Sequence, residues 1–516
     1  MCCSIFQGKF KVSIITALII WIGVSAIITV PVTGQDNQTG VDNVSTENNL
    51  FLPVILSESA PLIPSLFGVD VSPITVSRGL DEVRLAGANF LRRGPIKWED
   101  IEPEKLAEGE EYQWDAVATF EQELKNARER GMETILIVGG TPVWARMDDP
   151  VLQEYSCSPI KEAEFTAFGD FMFALVSRYS APEFNIKYFE MYNEPDIDPR
   201  LPPTLDNNTG FGCWGDGSDP YFGGGYYAQM LAAAYPRIKE ANPNAKVLVG
   251  GLLLDRPSDW GDGTDLNSNS GLFFEGVLRK NGDNDGANFF DGISYHGYDY
   301  YIGDLLIAHE ATDDPIGKYG NLKWDTWWNT TGPVFIAKAA FIRNLLANEE
   351  FGTSDKKFLM NTESAVICAG GETCDENIGS AFEITKAYYL AQAYTAAYAI
   401  GLEANVWYSA MGWRGSGLLY PDLTHHNAYD AYVTARAMLV NSRFINELHM
   451  YNQVAQYEFI RAGSRKLWVI WSRDGESHPI TLPSTPTNIV DALGNPIPVS
   501  SNLSIDIKPV YIEWAN

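Results

Sequence analysis

The chain is poor in positive charge. Lysine and arginine together number 37, against 66 aspartates and glutamates, so the formal net charge is −29. Nucleic acids and anionic lipid surfaces bind proteins through clustered cations, so this balance argues against both as partners. It suits instead a soluble extracellular protein that acts on a neutral polymer.

Charge is missing altogether between Val12 and Val32, and Lys9 and Lys11 stand just before this apolar stretch. Such a segment is typical of an export signal, or of an N-terminal membrane anchor with its basic end inside. We therefore predict a signal or anchor over residues 1–34 and a flexible polar linker over residues 35–60. In either case the rest of the chain is extracellular, secreted or anchored to the outer face of the membrane. Any attachment to a membrane is expected through this segment only.

Cysteine is scarce, with six residues in 516. Two of them precede the apolar stretch, which leaves Cys157, Cys213, Cys368 and Cys374. An even number in an exported chain favours disulfides. Cys368 and Cys374 can close a short loop, which leaves Cys157 to pair with Cys213. A zinc site is disfavoured because the chain has neither a Cys-X-X-Cys pair nor a histidine near these cysteines.

Eight apolar, strand-like runs alternate with amphipathic helices between residues 61 and 442. The runs begin near residues 66, 89, 133, 186, 246, 290, 357 and 403. This alternation predicts an α/β fold of the (β/α)8, or TIM-barrel, type. A doubly wound open sheet is the alternative, and it is disfavoured because no glycine-rich phosphate-binding turn follows the first strand.

The pattern changes over residues 443–516. Short strand-like runs are separated there by Gly, Pro, Asn and Asp. They predict a small C-terminal antiparallel β-domain. We expect it to pack on the outside of the barrel, and carbohydrate binding is the alternative role.

Two of the apolar runs lead into a glutamate. Glu194 follows the fourth run, in YFEMYNEP, and Glu363 follows the seventh, in KFLMNTE. Strands four and seven lie on opposite sides of an eight-stranded ring, so both carboxylates would reach over its mouth. Such a pair can break a glycosidic bond. A separation of about 5–5.5 Å gives retention of configuration and about 6.5–9.5 Å gives inversion.

The segment Asn193-Glu194-Pro195 after a buried strand resembles the acid/base signature of the clan A glycoside hydrolases. The barrel with its C-terminal domain resembles the β-xylosidase-like family 39 and related families. This resemblance implies a retaining double displacement with Glu194 as acid/base and Glu363 as nucleophile, without a metal or another cofactor. It also implies that Asn193 binds the sugar 2-hydroxyl.

The resemblance further implies an arginine at the end of strand two that contacts the nucleophile. Alternation sends Arg92 and Arg93 to opposite faces of the strand, and we favour Arg92 as the inward one. Glu190 is a rival carboxylate deeper in the barrel. We expect it to be buried and paired with an arginine.

Four further side chains are predicted to bind the sugar. His296 and Tyr298 share one face of the sixth strand, and Tyr298 is expected to hydrogen-bond the nucleophile. Trp144 resembles a wall of the sugar subsite. Trp407 resembles the platform beneath the sugar, with Trp413 as its competitor. For the tryptophans, packing in the core is the alternative.

The sequence therefore predicts a retaining O-glycosyl hydrolase that acts on a neutral β-linked oligo- or polysaccharide. A glycan-binding barrel without turnover and a transglycosylase are the alternatives. The sequence selects neither a sugar, nor a linkage, nor internal or terminal cleavage, nor an oligomeric state.

Overall fold

The computed structural model describes residues 65–107, 109–201, 212–254, 270–301, 303, 324–325, 328, 332–351, 357–368 and 374–515. The predicted signal or anchor and the predicted linker lie outside these residues. Within them, no helix combines the length and the apolar character that crossing a bilayer requires.

The centre of the fold is a closed ring of eight parallel strands. In chain order the first nine strands are β1 (Phe67–Asp70), β2 (Phe90–Lys97), β3 (Glu133–Gly139), β4 (Tyr188–Asn193), β5 (Lys246–Leu252), β6 (Gly292–Tyr301), β7 (Trp324–Asp325), β8 (Phe358–Cys368) and β9 (Ala404–Trp407). Each strand except β7 pairs in parallel with its neighbours, and the β9–β1 and β5–β6 pairings close the ring. The short β7 pairs in antiparallel fashion with the end of β6. The predicted TIM barrel is therefore confirmed.

Helices follow the strands in the connections that the structure describes. They are α1 (Leu80–Leu85), α2 (Trp98–Ile101), α3 (Ala118–Glu129), α4 (Phe165–Tyr179), α5 (Gly224–Ala241), α6 (Ser270–Arg279), α7 (Phe335–Leu346), α8 (Ala381–Ala399) and α9 (Asn427–Leu439). Their buried faces and the outward faces of the strands form one apolar core.

A second apolar layer fills the ring itself. Its buried members are Phe90, Ile135, Leu248, Met360, Ala404 and Val406. Their neighbours in sequence, such as Leu91, Leu136 and Leu359, belong to the outer core instead. Successive side chains of a strand point to opposite faces, so the inward set also fixes which residues can reach the mouth of the barrel.

The C-terminal strands form separate antiparallel sheets. They are β10 (Arg443–Glu447), β11 (Val454–Ile460), β12 (Lys466–Ser472), β13 (His478–Thr481), β14 (Asn488–Asp491), β15 (Asn502–Ile505) and β16 (Val510–Trp514). Five of them make a sheet in the order β10-β11-β12-β16-β14, and β13 pairs with β15. This is the β-domain that the sequence predicts.

The five-stranded sheet uses both of its faces. Leu467, Val469 and Trp471 of β12 belong to the same core as the barrel helices. Trp468 and Ile470, which alternate with them, form a second core with residues that include Ile480 of β13. One face of the sheet therefore packs on the outside of the barrel, and the other is covered by the β13–β15 pair.

Two disulfides link the four cysteines as the sequence predicts. Cys157 is bonded to Cys213, with Cα atoms 5.5 Å apart, and Cys368 is bonded to Cys374, with Cα atoms 6.0 Å apart. The first of these bonds joins the segment after β3 to the segment after β4. It therefore ties together two loops at the carboxyl end of the barrel strands.

Candidate active site

The end of β4 departs from regular strand geometry. Tyr192 and Glu194 have left-handed backbone conformations, with φ of 64° and 44°. Non-glycine residues rarely adopt such angles, and here they break the alternation of the strand. As a result both Asn193 and Glu194 direct their side chains into the mouth of the barrel, where they contact Arg92 and His296 respectively. Strict alternation would have separated them.

A bulge in β8 turns Glu363 inward. Met360 points into the ring, so strict alternation would send Glu363 toward the helices. Along β6, however, Tyr295 is opposite Asn361 and His296 is opposite Glu363, so Thr362 is an extra residue. Such a bulge re-aims the side chain that follows it. The strand does not end at Glu363, as the sequence suggested, because its pairing with β6 continues to Cys368.

These two features bring the predicted glutamates together. One carboxylate oxygen of Glu194, one of Glu363 and a ring nitrogen of His296 all lie within 4.8 Å of one another. Both glutamates are buried but retain some access to solvent, at 8% exposure each. Their spacing is short of the about 6.5–9.5 Å that leaves room for a water between two carboxylates.

Arg92 is the central cation of the site, and its side chain is only 2% exposed. Its guanidinium donates hydrogen bonds to Glu190 and Glu363, and to the Asn193 Oδ1 atom at 2.6 Å. Burial disfavours its charged form, but the two neighbouring glutamates hold the pKa of Arg92 above its ordinary value. Arg92 therefore occupies the inward position predicted for it, and Glu190 is the buried partner expected there.

Arg93 points the other way. Its guanidinium donates to the Glu123 carboxylate of α3, at 2.6 and 3.0 Å. The two consecutive arginines thus pair with glutamates on opposite faces of β2, Arg92 with two of them and Arg93 with one. The outer pair is a natural control for the inner one.

His296 lies against both glutamates. Its Nδ1 atom is 2.8 Å from the Glu194 Oε1 atom and 3.6 Å from the Glu363 Oε2 atom. Burial lowers the pKa of His296 to about 4, so the imidazole is neutral at pH 5 and above. Gly251 of β5 makes room for the ring, because a Cβ atom there would lie 2.2 Å from His296 Nε2.

Tyr298 donates its phenolic hydrogen to the Glu363 carboxylate. Burial and the negative charge of Glu363 raise the pKa of Tyr298 well above its ordinary value, so the hydroxyl remains a donor. Glu363 therefore accepts from Arg92 at one oxygen and from Tyr298 at the other. A cation therefore lies at one oxygen of Glu363 and a neutral hydroxyl at the other.

Asp70 is a member of the site that the sequence interpretation missed. It is the last residue of β1, directly opposite Arg92 of β2, and it is 7% exposed. Burial is the main cause that raises the pKa of Asp70 to about 7, and Glu363 adds to it while Arg92 opposes it. The sequence offers one signal for this residue, because Asp70 is a polar residue at the end of the apolar strand FGVD. Asp70 shares a strand face with Gly68, which lies against Val406 inside the ring, so its side chain points inward.

Trp407 does not lie in the cleft. Its side chain is fully buried, and its Nε1 atom donates to the Ser416 carbonyl at 2.8 Å. A ring without an exposed face cannot support a sugar, so the platform role predicted for Trp407 is corrected. Val406 points into the barrel, and alternation therefore directs Trp407 outward, where it packs near Tyr389 of α8.

Two other aromatic residues lie beside the site instead. Trp413, the predicted competitor, is 46% exposed, and its ring centroid is 5.9 Å from that of Tyr298. Tyr408 is 6.1 Å from the same ring, in an edge-on arrangement. These rings, and not Trp407, are available to a ligand at this edge of the cleft.

Trp144 is half-buried in the segment after β3. Its ring is edge-on to Trp98 at 5.1 Å, and its Nε1 atom donates to the Glu102 carbonyl at 3.1 Å. These contacts are accounted for by packing between neighbouring loops. They give no direct support to a sugar-binding role.

Glu194, His296 and Glu363 could each offer one ligand atom to a cation. Both oxygens of Glu363, however, already accept hydrogen bonds, and one of these comes from the Arg92 guanidinium. A metal ion would have to compete with that cation. The arrangement suits proton transfer and nucleophilic attack better than metal binding.

No protein-family model and no curated protein sequence matches the chain. Solved structures do. A family 39 glycoside hydrolase from the gut symbiont Bacteroides cellulosilyticus WH2 aligns with a TM-score of 0.59 and 18% identity, over 90% of this chain and 83% of that one. A GH30 endoxylanase from Clostridium papyrosolvens C71 aligns with a TM-score of 0.52 and 9% identity, over 89% of this chain and 97% of that one. The catalytic domain of GH30 xylanase C from Talaromyces cellulolyticus aligns with a TM-score of 0.52 and 12% identity, over 88% of this chain and 98% of that one. The chain therefore has the barrel fold that family 39 and family 30 glycoside hydrolases share.

Proposed function

We propose that the protein is a retaining glycoside hydrolase in which Glu363 is the nucleophile and Glu194 the acid/base. The observation that carries the proposal is the meeting of the two carboxylates, within 4.8 Å, at the mouth of the barrel. A close approach of this kind supports direct attack by a carboxylate, because inverting enzymes hold their two carboxyl groups about 6.5–9.5 Å apart. The likeness of the fold to family 39 and family 30 structures is consistent with it.

Glu363 is suited to attack the anomeric carbon. Arg92 and Tyr298 each donate to one of its carboxylate oxygens and so orient the group in the mouth of the barrel. In the first step its oxygen bonds to the anomeric carbon, and the electrons of the broken bond pass to the leaving oxygen. In the second step water displaces the carboxylate, and the configuration is retained overall.

Glu194 is placed to move the proton in both steps. It protonates the leaving oxygen in the first step and removes a proton from water in the second. Glu363 and the neutral imidazole of His296 lie beside it, so the neighbouring histidine adds no positive charge that would oppose protonation of the acid. Asn193, held by Arg92, is available to the 2-hydroxyl.

The first experiment tests the reaction itself. The protein is offered a panel of aryl β-glycosides of neutral sugars, and proton NMR follows the first-formed anomer. A retaining enzyme releases the β-anomer first, which then mutarotates. An α-anomer as the first product would contradict the proposed mechanism.

The second experiment tests the two roles. Glu363→Ala should lose turnover and recover part of it with azide, which attacks from the vacated side and gives the glycosyl azide of inverted configuration. Glu194→Ala should keep activity only on substrates with good leaving groups, because these need no protonation. Glu123→Gln changes the carboxylate of α3 that pairs with Arg93 on the outer face of β2. It is the matched control and should keep the kinetics of the wild type. Complete loss in both alanine variants on every substrate, without azide rescue, would refute the assignment.

The same assays distinguish the two alternatives. A glycan-binding barrel would bind members of the panel and release no aryl group. A transglycosylase would form the same covalent intermediate but transfer the sugar to an added acceptor in preference to water.

We propose a neutral β-linked oligo- or polysaccharide as the substrate, because the chain is strongly acidic. We propose a location outside the cytoplasm, which the two disulfides favour. Retention or removal of the N-terminal apolar segment can be read from the mass of the exported protein.

A further inference from the structure

Asp70 is a carboxyl group at the mouth of the barrel that the double displacement does not use. It lies at the end of β1, opposite Arg92, and only 7% of its surface is exposed. Arg92, its partner in strand register, donates to Glu363 and Asn193, so Asp70 lies at the same end of the barrel as these residues.

The side chain of Asp70 makes no hydrogen bond and no ion pair with the residues that the structure describes. Arg92, the nearest cation in strand register, directs its hydrogen bonds to Glu190, Glu363 and Asn193 instead. Buried polar groups are nearly always hydrogen-bonded, because leaving one unpaired costs free energy. The bonding capacity of this carboxyl is therefore left for a ligand.

The chemistry of that ligand follows from what surrounds Asp70. Under the proposed function, the two glutamates take the anomeric centre and Asn193 takes the 2-hydroxyl. The groups of the same sugar that remain are the hydroxyls beyond C2. A carboxylate is an acceptor with two oxygens, so it can bind one such hydroxyl or two adjacent ones.

We propose that Asp70 binds the hydroxyl groups beyond C2 of the sugar that Glu363 attacks, and so selects a neutral glycone over a uronic acid. This inference rests on the proposed function. A carboxylate on the sugar would meet Asp70 in a cleft where Glu190 and Glu363 already share the Arg92 guanidinium. Above the pKa of about 7 that burial gives Asp70, this side chain is charged, and like charges at this range disfavour binding.

The first test measures kcat/KM for wild type, Asp70→Asn and Asp70→Ala. The substrates are the p-nitrophenyl glycoside that the wild type cleaves fastest and its 3-deoxy and 4-deoxy forms. Each variant should lose about 10- to 100-fold on the parent glycoside, as expected for a hydrogen bond to a charged group. The loss should fall below about threefold on the deoxy form that lacks the bound hydroxyl. An equal loss on all three substrates would overturn the proposal.

The second test concerns charge. Both tests are run at pH 8, above the pKa of about 7 of Asp70, so that this group is ionised. The ratio of kcat/KM for p-nitrophenyl β-glucuronide to that for the β-glucoside should then rise about tenfold in Asp70→Asn, because the repulsion is removed. An unchanged ratio would overturn the selection against uronic acids. Glu123→Gln removes a carboxylate outside the barrel and should leave every ratio as in the wild type.

Failure of the proposed function would be visible separately, as a wild-type protein that cleaves no aryl glycoside. In that case calorimetry measures how tightly the wild type and Asp70→Ala bind methyl β-xyloside, methyl β-glucoside and their 3-deoxy and 4-deoxy forms. Weaker binding by Asp70→Ala of the parent sugars alone supports the inference. Equal weakening for all, or no binding to the wild type, overturns it.

Discussion

Replacing Arg92 by methionine should destabilise the protein through the charge it leaves behind. Arg92 is 2% exposed, and Glu190, to which it donates, is fully buried. Breaking a buried ion pair by removing one partner typically costs about 3–5 kcal/mol, because the other charge stays buried without compensation. We expect this loss for Arg92→Met in urea unfolding at pH 7, followed by tryptophan fluorescence.

The double variant Arg92→Met/Glu190→Gln isolates the cause. The second substitution removes the charge of Glu190 and leaves a neutral buried amide, whose unpaired groups cost about 1–3 kcal/mol. The double variant should therefore be more stable than Arg92→Met alone. Arg93→Met is the matched control, because the side chain of Arg93 is 17% exposed and that of Arg92 only 2%. In this variant Glu123 keeps the hydrogen bond from the Ile74 backbone N–H, so the expected loss is smaller than for Arg92→Met.

The deficit of Arg92→Met should also depend on pH. Without its cation, the variant buries a carboxylate charge that nothing compensates, and burial of this kind favours uptake of a proton by the folded state. The folded state then holds more protons than the unfolded state, and stability falls as the pH rises. The deficit should be largest at neutral pH and shrink toward pH 4. Equal, pH-independent losses in the single and double variants would refute this reasoning.

Three further outcomes are expected. Tyr298→Phe removes a donor from Glu363 and should lower kcat about 10- to 100-fold with little change in stability, and steady-state kinetics with thermal melting check both. Trp413→Ala should raise KM without loss of stability, whereas Trp407→Ala should cost about 3–5 kcal/mol because that ring is fully buried. A loss of stability in Trp413→Ala, together with a raised KM and unchanged stability in Trp407→Ala, would contradict the assignment of Trp413 to the cleft and Trp407 to the core. The Cys157→Ala/Cys213→Ala variant should lose about 4 kcal/mol by the chain-entropy relation for a separation of 56 residues, and unfolding in urea without reductant measures it.

The barrel could be predicted because its signal is repeated along the chain. Eight apolar runs alternate with helices, and each run has to bury both faces. The cysteine pairing followed from count and spacing. Alternation predicted that Arg92 and Arg93 lie on opposite faces, and the resemblance implied that one of them contacts the nucleophile. The choice of Arg92 and the burial of Glu190 agree with the structure, because β2 and β4 are regular where these residues lie.

The irregular points could not be predicted in the same way. The left-handed conformation of Tyr192 and the extra residue at Thr362 are set by contacts with neighbouring strands, and no local pattern encodes either. Both lie beside a predicted catalytic glutamate. The error at Trp407 was avoidable, because counting from the inward Val406 assigns Trp407 to the outer face. Asp70 could not be singled out in the same way, because β1 has only four residues and so short an apolar run does not mark the residue at its end.

The shared core of the barrel and the C-terminal sheet limits how the chain can be divided. Leu467, Val469 and Trp471 belong to the same core as the barrel helices, and Arg461 donates to the Ala437 carbonyl of α9 at 2.7 Å. A shortened protein that stops after α9 would expose this apolar surface to water, and we expect it to aggregate on expression. Engineering that exchanges or fuses modules should therefore treat residues 65–515 as a single cassette.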